Sequence, residues 1–215
     1  MPEEPVVKRT IVFFDGQNLF HTGKEIFQIP YPNYDVAALA QLLCTREGWQ
    51  LTQTRFYTGV PEAGRDPFWH GFWSRKTAQM TRSGVVCFTR QLHYVTSTTQ
   101  LANGTTQVVE VGQEKGVDVR IALDVIRLAR QNAYDVAIIV SRDQDFSEVA
   151  DEIRALGKEQ NRWIKIASAF CCDGNPPRRG INKTDWLRIS QTEYNSCVDS
   201  RDYRPPASQA RLPFS

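Results

Sequence analysis

Short apolar runs alternate with amphipathic stretches along most of this chain. Runs of apolar and β-branched residues predict strands at 9–14, 51–57, 85–88, 135–140 and 163–169. Apolar residues at three- and four-residue spacing predict helices at 36–45, 67–82, 117–130 and 146–156. This alternation is typical of an α/β fold, in which helices cover both faces of a mostly parallel sheet.

The alternation is interrupted between residues 91 and 111. Two β-rich runs flank Asn103-Gly104, a pair favoured in tight hairpin turns, so we predict an inserted β-hairpin. The hairpin could serve either as a dimer contact or as an arm that contacts the substrate. A homodimer is therefore one possible state of the protein.

The pattern weakens after Phe170, in the loop "CCDGNPPRRG", and the proline-containing C-terminus is typical of an unstructured tail. We divide the chain into an N-terminal tail (1–8), one domain (9–170) and a C-terminal extension with a basic loop (171–215).

Composition narrows the class of protein. The 215 residues suffice for one sizeable domain, and no apolar run is long enough for a membrane helix. The N-terminus lacks a signal-peptide pattern, so we expect a cytoplasmic protein without membrane contact. The five cysteines contain no C-x-x-C pair and are interpreted as reduced, mostly buried thiols.

Acidic residues stand where predicted strands end or helices begin. Asp15 follows the first strand, Asp143 and Asp145 follow the strand at 135–140, and Asp118 opens a helix after Gly116. In a parallel sheet, ligands bind at the carboxyl ends of the strands, so these carboxylates are predicted to converge there. They would repel one another unless a cation lay among them, and oxygen ligands suit Mg²⁺ or Mn²⁺.

Each acid also has a purely structural interpretation. Asp145 could cap the helix that follows it, and Asp118 could interact favourably with a helix dipole. Asp124 is as compatible with an ion pair to Arg120 or Arg127 as with a ligand role.

Other kinds of site find little support in the sequence. The three histidines have no metal-binding spacing, and neither a dinucleotide-binding nor a phosphate-binding glycine loop is present. Trp69, Phe72 and Trp73 could stack on nucleobases, although aromatic residues at helical spacing more often belong to a core.

Three motifs, "FFDGQN", "KGVDV" and "SRDQDF", together resemble the NYN domain, in the LabA-like branch of the PIN-like nucleases. The resemblance covers roughly residues 9–170. The segments "RRGINKTDWLRIS" and "YNSCVDSRDYRP" resemble the C-terminal part of a bacterial subfamily.

The resemblance implies a three-layer α/β/α sandwich and a ribonuclease that depends on Mg²⁺ or Mn²⁺. By position, Asp15, Asp118, Asp143 and Asp145 would hold the metal, and Asn18 would orient a water or a phosphate. The secondary candidates are Asp124 and Ser141.

RNA is the substrate that the resemblance implies, with DNA not excluded by the sequence. Lys115 would bind a phosphate near the metal, and Arg178, Arg179 and Lys183 would follow the nucleic-acid backbone. Arg142 replaces the usual glycine of the third motif, where it could bind a phosphate or narrow the cleft.

Two other functions stay open. One is a non-catalytic module that binds RNA or a partner protein. The other is a haloacid-dehalogenase-like phosphatase, which needs a second Asp two residues after the first, where this chain has Gln17.

Overall fold

A parallel β-sheet runs through the centre of the protein. The computed structural model describes residues 2–100, 106–174 and 179–205. The strands in these ranges are β1 (Arg9–Asp15), β2 (Gln50–Val60), β3 (Val86–Gln91), β4 (His93–Gln100), β5 (Thr106–Gln113), β6 (Val136–Val140), β7 (Lys165–Cys171) and β8 (Asp185–Ile189). The helices are α1 (Gly16–Phe27), α2 (Val36–Glu47), α3 (Pro67–Arg82), α4 (Val117–Arg130), α5 (Phe146–Glu159) and α6 (Gln191–Ser196).

The order of the strands creates a crevice at the middle of the sheet. Six strands pair in the order β3-β2-β1-β6-β7-β8, and every adjacent pair is parallel. Strands β2 and β3 are added in turn on one side of β1. Strands β6, β7 and β8 are then added in turn on its other side. The connections that follow β1 and β6 therefore diverge, which opens a crevice between the carboxyl ends of these strands.

Two apolar clusters cover the two faces of the sheet. On β1, Val12 and Phe14 belong to one cluster, while Ile11 and Phe13 belong to the other. The first cluster includes buried residues of α1, α2, α3 and α6, and the second includes residues of α4 and α5. The predicted three-layer α/β/α sandwich is thereby confirmed.

The hairpin forms a separate sheet. Strands β4 and β5 pair antiparallel from His93 with Gln113 to Gln100 with Thr106, which confirms the predicted insertion. The predicted Asn103-Gly104 turn lies outside the described residues, as does most of the predicted tail. The hairpin's role as a dimer contact or a substrate arm stays a prediction. Over the residues that the structure covers, every helix is too short or too polar to cross a membrane.

Three elements were not predicted from the sequence. Helix α1 begins directly after β1, in a segment for which no helix was predicted. Strand β8 pairs with β7 at the edge of the sheet, and α6 begins with a capping box between Ser190 and Glu193. Residues assigned to the C-terminal extension thus contribute to the sheet and its helical layer, and the proposed domain boundaries stay a prediction.

Gly16 allows α1 to begin against β2. A Cβ atom at this position would lie 2.5 Å from Cζ of Phe56 and 2.9 Å from the carbonyl oxygen of Tyr57. Both distances are too short for a side chain, so only glycine fits here without movement of the strand or the ring.

We therefore expect Gly16→Ala to lower the free energy of unfolding by about 2 kcal/mol, since buried overpacking outweighs the better helix propensity of alanine. Urea denaturation measures this change. Gly64→Ala is the matched control, because a Cβ atom there meets nothing within 4 Å. Equal stability of the two variants would contradict the packing argument.

Candidate active site

Asp15 lies at the junction between β1 and α1. Its Oδ1 accepts a hydrogen bond from the backbone N–H of Asn18 at 3.0 Å, so Asp15 caps α1. Its Oδ2 accepts a second hydrogen bond, from Ser141 Oγ at 3.1 Å. The apolar run of β1 thus ends at an acid because that acid terminates the strand and caps the helix.

The loop after β6 is fixed to the same junction. Ser141 Oγ accepts a hydrogen bond from the backbone N–H of Asp143 at 3.1 Å. The side-chain oxygen Oδ1 of Asn18 accepts one from the backbone N–H of Arg142, also at 3.1 Å. Ser141 and Asn18 therefore join the loop after β6 to the β1–α1 junction at the crevice, and the serine is almost completely buried.

Asp118 is presented by the first turn of α4. Gly116 precedes the helix in the left-handed conformation, with φ of 75°, which favours glycine. The Arg90 guanidinium donates to the carbonyl oxygens of Lys115 and Gly116 at 3.2 and 3.3 Å. These bonds anchor the start of α4 to β3.

Glu114 is an acidic residue of the site that the sequence analysis missed. It directly follows β5, and its Oε2 accepts a hydrogen bond from the backbone N–H of Gly59 on β2. A Cβ atom on Gly59 would lie 2.8 Å from this oxygen, so glycine is needed for the approach. Its position directly after a strand, in "EKGVDV", is the only local signal that could have found it.

These residues line one open cleft of about 440 Å³. The lining residues are Asp15, Gln17, Asn18, His21, Glu114, Lys115, Gly116, Asp118 and Asp143. We call Asp15, Glu114, Asp118 and Asp143 the cleft carboxylates. Five residues predicted for the site therefore share this cleft: Asp15, Asn18, Lys115, Asp118 and Asp143. Their roles in catalysis and binding stay predictions.

Burial and mutual repulsion make negative charge costly in this cleft. Burial raises the pKa of Asp15 to about 6; hydrogen bonds from Asn18 and Ser141 oppose the shift, and the charges of Asp143 and Asp118 add to it. Burial likewise raises the pKa of Glu114 to about 7, with contributions from Asp15 and Asp118. A positive charge in the cleft would relieve this cost.

Other predicted site residues lie outside the cleft lining. Asp145 is exposed, and its backbone N–H donates to Asp143 Oδ1 at 3.0 Å. Arg142 donates from Nε to the carbonyl oxygen of Arg179 at 3.2 Å and so holds the loop after β7. Lys183 pairs with Asp151 on α5, and Arg178 lies outside the described residues.

The predicted aromatic platform is divided between core and surface. Phe72 and Trp73 are buried in the cluster on the α3 side of the sheet, whereas Trp69 packs against that cluster and is partly exposed.

The family model of the NYN domain matches residues 9–171. The chain belongs to the NYN domain family. This confirms the resemblance that rests on the three motifs. It is consistent with a protein of the PIN-like superfamily. A comparison with curated protein sequences found no match.

One solved structure shares the fold of this NYN domain, and a second gives a weaker superposition. A protein of unknown function from Vibrio parahaemolyticus superposes with a TM-score of 0.53 at 18% identity, covering 88% of this chain and 97% of that one. Ribokinase from Giardia lamblia gives a TM-score of 0.40 at 10% identity, over 87% of this chain and 59% of that one. At 18% identity the Vibrio parahaemolyticus structure shows the fold alone, and no conclusion is drawn from the ribokinase superposition.

The carboxylates of the NYN cleft supply the oxygen donors that hard divalent cations prefer. Within the described ranges, no group of three or more His, Cys, Asp or Glu side chains is positioned to hold a metal ion together. Mg²⁺ does not require one, because it usually keeps several waters and binds one or two carboxylates together with substrate phosphates. The carboxylate oxygens that line the cleft and the raised pKa of Asp15 are compatible with such an ion.

Asp124 lies away from the NYN cleft, within a cluster of basic residues. Its side chain is 2% exposed and accepts hydrogen bonds from Arg55, Tyr57, Arg120 and Arg127. Burial alone would raise the pKa of Asp124, but these partners hold it below its usual value. The ion-pair interpretation of Asp124 thus agrees with its contacts.

Asp124→Asn should lower the free energy of unfolding by about 3 kcal/mol near neutral pH, because Arg55 would keep a buried charge without its counterion. Since the folded-state pKa is depressed, the stabilisation by Asp124 is present above its unfolded pKa of about 3.9 and is lost as pH falls through the folded value. Urea unfolding from pH 7 to pH 2 should therefore show a shallower acid loss in the variant. Parallel curves would contradict this role.

Proposed function

We propose that this NYN domain is a metal-dependent ribonuclease that hydrolyses RNA phosphodiester bonds. The observation that carries the proposal is the convergence of the cleft carboxylates on one open cleft at the middle of a parallel sheet. Membership in a family that is generally nuclease-related supports it.

The cleft carboxylates would hold Mg²⁺ or Mn²⁺ during the reaction. When bound, the ion would lower the pKa of a water molecule and stabilise negative charge on the phosphate. Asp15 is held for this task by the N–H of Asn18 and the hydroxyl of Ser141, so its orientation does not depend on the substrate. Asp145 would act at the outer rim of the site, since it is exposed and does not line the cleft.

Positive groups near the cleft would bind the RNA backbone. Lys115 lines the cleft and stands between Glu114 and Gly116 in the chain. Its ammonium group suits a phosphate. Arg179 is exposed on the loop that Arg142 holds, and there it would follow the RNA backbone. Arg178 is proposed for the same role on its sequence alone. Lys183 would contribute less, because its charge is paired with Asp151.

The alternative function is a non-catalytic RNA-binding or adaptor module. Arg142, the departure from the family pattern, kept this alternative open. Its side chain donates to the carbonyl of Arg179 and does not line the cleft, which favours an open site.

Cleavage of labelled RNA tests the proposal. We expect cutting with Mn²⁺ or Mg²⁺, none with EDTA, and a loss of about a hundredfold or more in Asp143→Asn. Asp145→Asn should lose less, because that side chain lies outside the cleft. Glu159→Gln, an exposed change at the far end of α5, is the carboxylate-to-amide control and should cut like the wild type.

Three outcomes decide between the alternatives. RNA binding without cutting under any divalent metal would favour the adaptor function. Equal cutting in EDTA would contradict a metal-dependent mechanism. Cleavage of DNA of the same sequence at the same rate would contradict a specificity for RNA.

Glu114→Gln tests the residue that the sequence analysis missed. Glutamine keeps an oxygen for the Gly59 N–H, so the unfolding temperature should stay the same or rise. Calorimetric titration with Mn²⁺ should nevertheless show affinity weakened about tenfold, because one charged ligand is lost. Unchanged Mn²⁺ affinity would exclude Glu114 from the metal site.

A further inference from the structure

An aromatic pocket adjoins the acidic cleft. It has a volume of about 160 Å³ and is lined by Gln17, Phe20, His21, Pro32, Thr58, Gly59, Trp69 and Trp73. Gln17 and His21 also line the cleft, and Gly59 donates its N–H to the cleft residue Glu114. A molecule could therefore occupy both spaces at once.

The aromatic walls of this pocket are held in fixed orientations. The Trp69 ring packs edge-on against Phe68 and Phe72, with centroid distances of 5.3 and 5.1 Å. The Trp73 ring stacks on Phe56 at 5.9 Å with an interplanar angle of 29°. Little side-chain entropy would be lost when a flat ligand binds between such walls.

Two polar groups of the residues that line the pocket have no hydrogen-bond partner among the described residues. Trp73 is 7% exposed, yet none of the residues described here accepts a hydrogen bond from its indole N–H. Buried tryptophans usually do find an acceptor. Within the same ranges the Gln17 side-chain amide also forms no hydrogen bond, although it stands where the pocket meets the cleft.

The combination matches one kind of ligand. Flat apolar walls suit a π-system, the side-chain amide of Gln17 suits a ring with polar edges, and the adjoining carboxylate cleft suits a metal-bound phosphate. A nucleobase joined to its own phosphate has all three properties.

We propose that the aromatic pocket binds one unpaired base of an RNA strand whose neighbouring phosphate lies in the acidic cleft. This inference rests on the proposed ribonuclease function. A base inside a duplex is stacked and paired, so the pocket would admit it only from a single-stranded or unstacked position. Trp69 supplies the stacking surface, and Gln17 contacts the polar edge of the base.

Binding tests the pocket separately from catalysis. A short fluorescein-labelled oligoribonucleotide is titrated by anisotropy in EDTA and in Ca²⁺, where no cutting is required. We expect Trp69→Ala to weaken binding about tenfold and Trp69→Phe to restore most of it, since phenylalanine retains a stacking ring. Thermal unfolding of each variant verifies that it is folded.

Trp49→Ala is the matched control. Trp49 is also partly buried against the cluster on the α3 side, but it precedes β2 at the opposite end of the sheet. It should bind RNA like the wild type. Equal weakening in the two alanine variants would overturn the proposal.

The wild-type protein provides a test that needs no substitution. Oligoribonucleotides with a single abasic nucleotide at successive positions should bind normally except at one position, where affinity falls about tenfold. Trp69→Ala should not distinguish that oligonucleotide from the intact one. An equal effect at every position would overturn the proposal, whereas position-dependent binding without any cleavage would contradict the ribonuclease function and retain the base pocket.

Discussion

The hydroxyl group of Ser141 holds together the β1–α1 junction and the loop after β6, which supply Asp15 and Asp143 to the acidic cleft. It donates to Asp15 at the end of β1 and accepts from the N–H of Asp143 after β6. These strands are neighbours because the order in which strands are added to the sheet reverses between β1 and β6. The positions of α1, Asn18 and the loop anchored by Arg142 all follow from this junction.

Aspartates in this protein experience opposite electrostatic surroundings. Asp124 is enclosed by guanidinium groups, which keep its charge favourable in a buried position. Asp15 is similarly buried but faces other carboxylates, and the start of α1 offsets only part of that cost. The first arrangement stabilises the fold by itself, whereas the second leaves an energetic cost that a cation can relieve. This contrast separates the structural acid from those of the cleft more clearly than sequence position does.

Local sequence was sufficient where an element carries its own signals. The bounds predicted for α3 and α4 agree with the structure, because Pro67 and Gly116 mark their beginnings and their apolar spacing is regular. Asp15, Asp118 and Asp143 were predicted to meet because strand ends in a parallel sheet share one edge. Helix α1 was missed since Asp, Gly and Asn suit turns as well as helix caps, so the residues after β1 carry no local signal that separates the two. Glu114 was missed because its partner, Gly59, is 55 positions away in the chain.

The alternation of side chains along β1 has a consequence for the accuracy of the site. Val12 and Phe14 fill one apolar layer while Ile11 and Phe13 fill the other, so a slip by a single residue would move each ring into the wrong layer. Such a slip would also displace Asp15 by roughly 3.3 Å, the rise of one strand residue. Side chains outside the cleft lining thus fix the register of β1 through both apolar clusters. That register sets the position of Asp15 in the cleft.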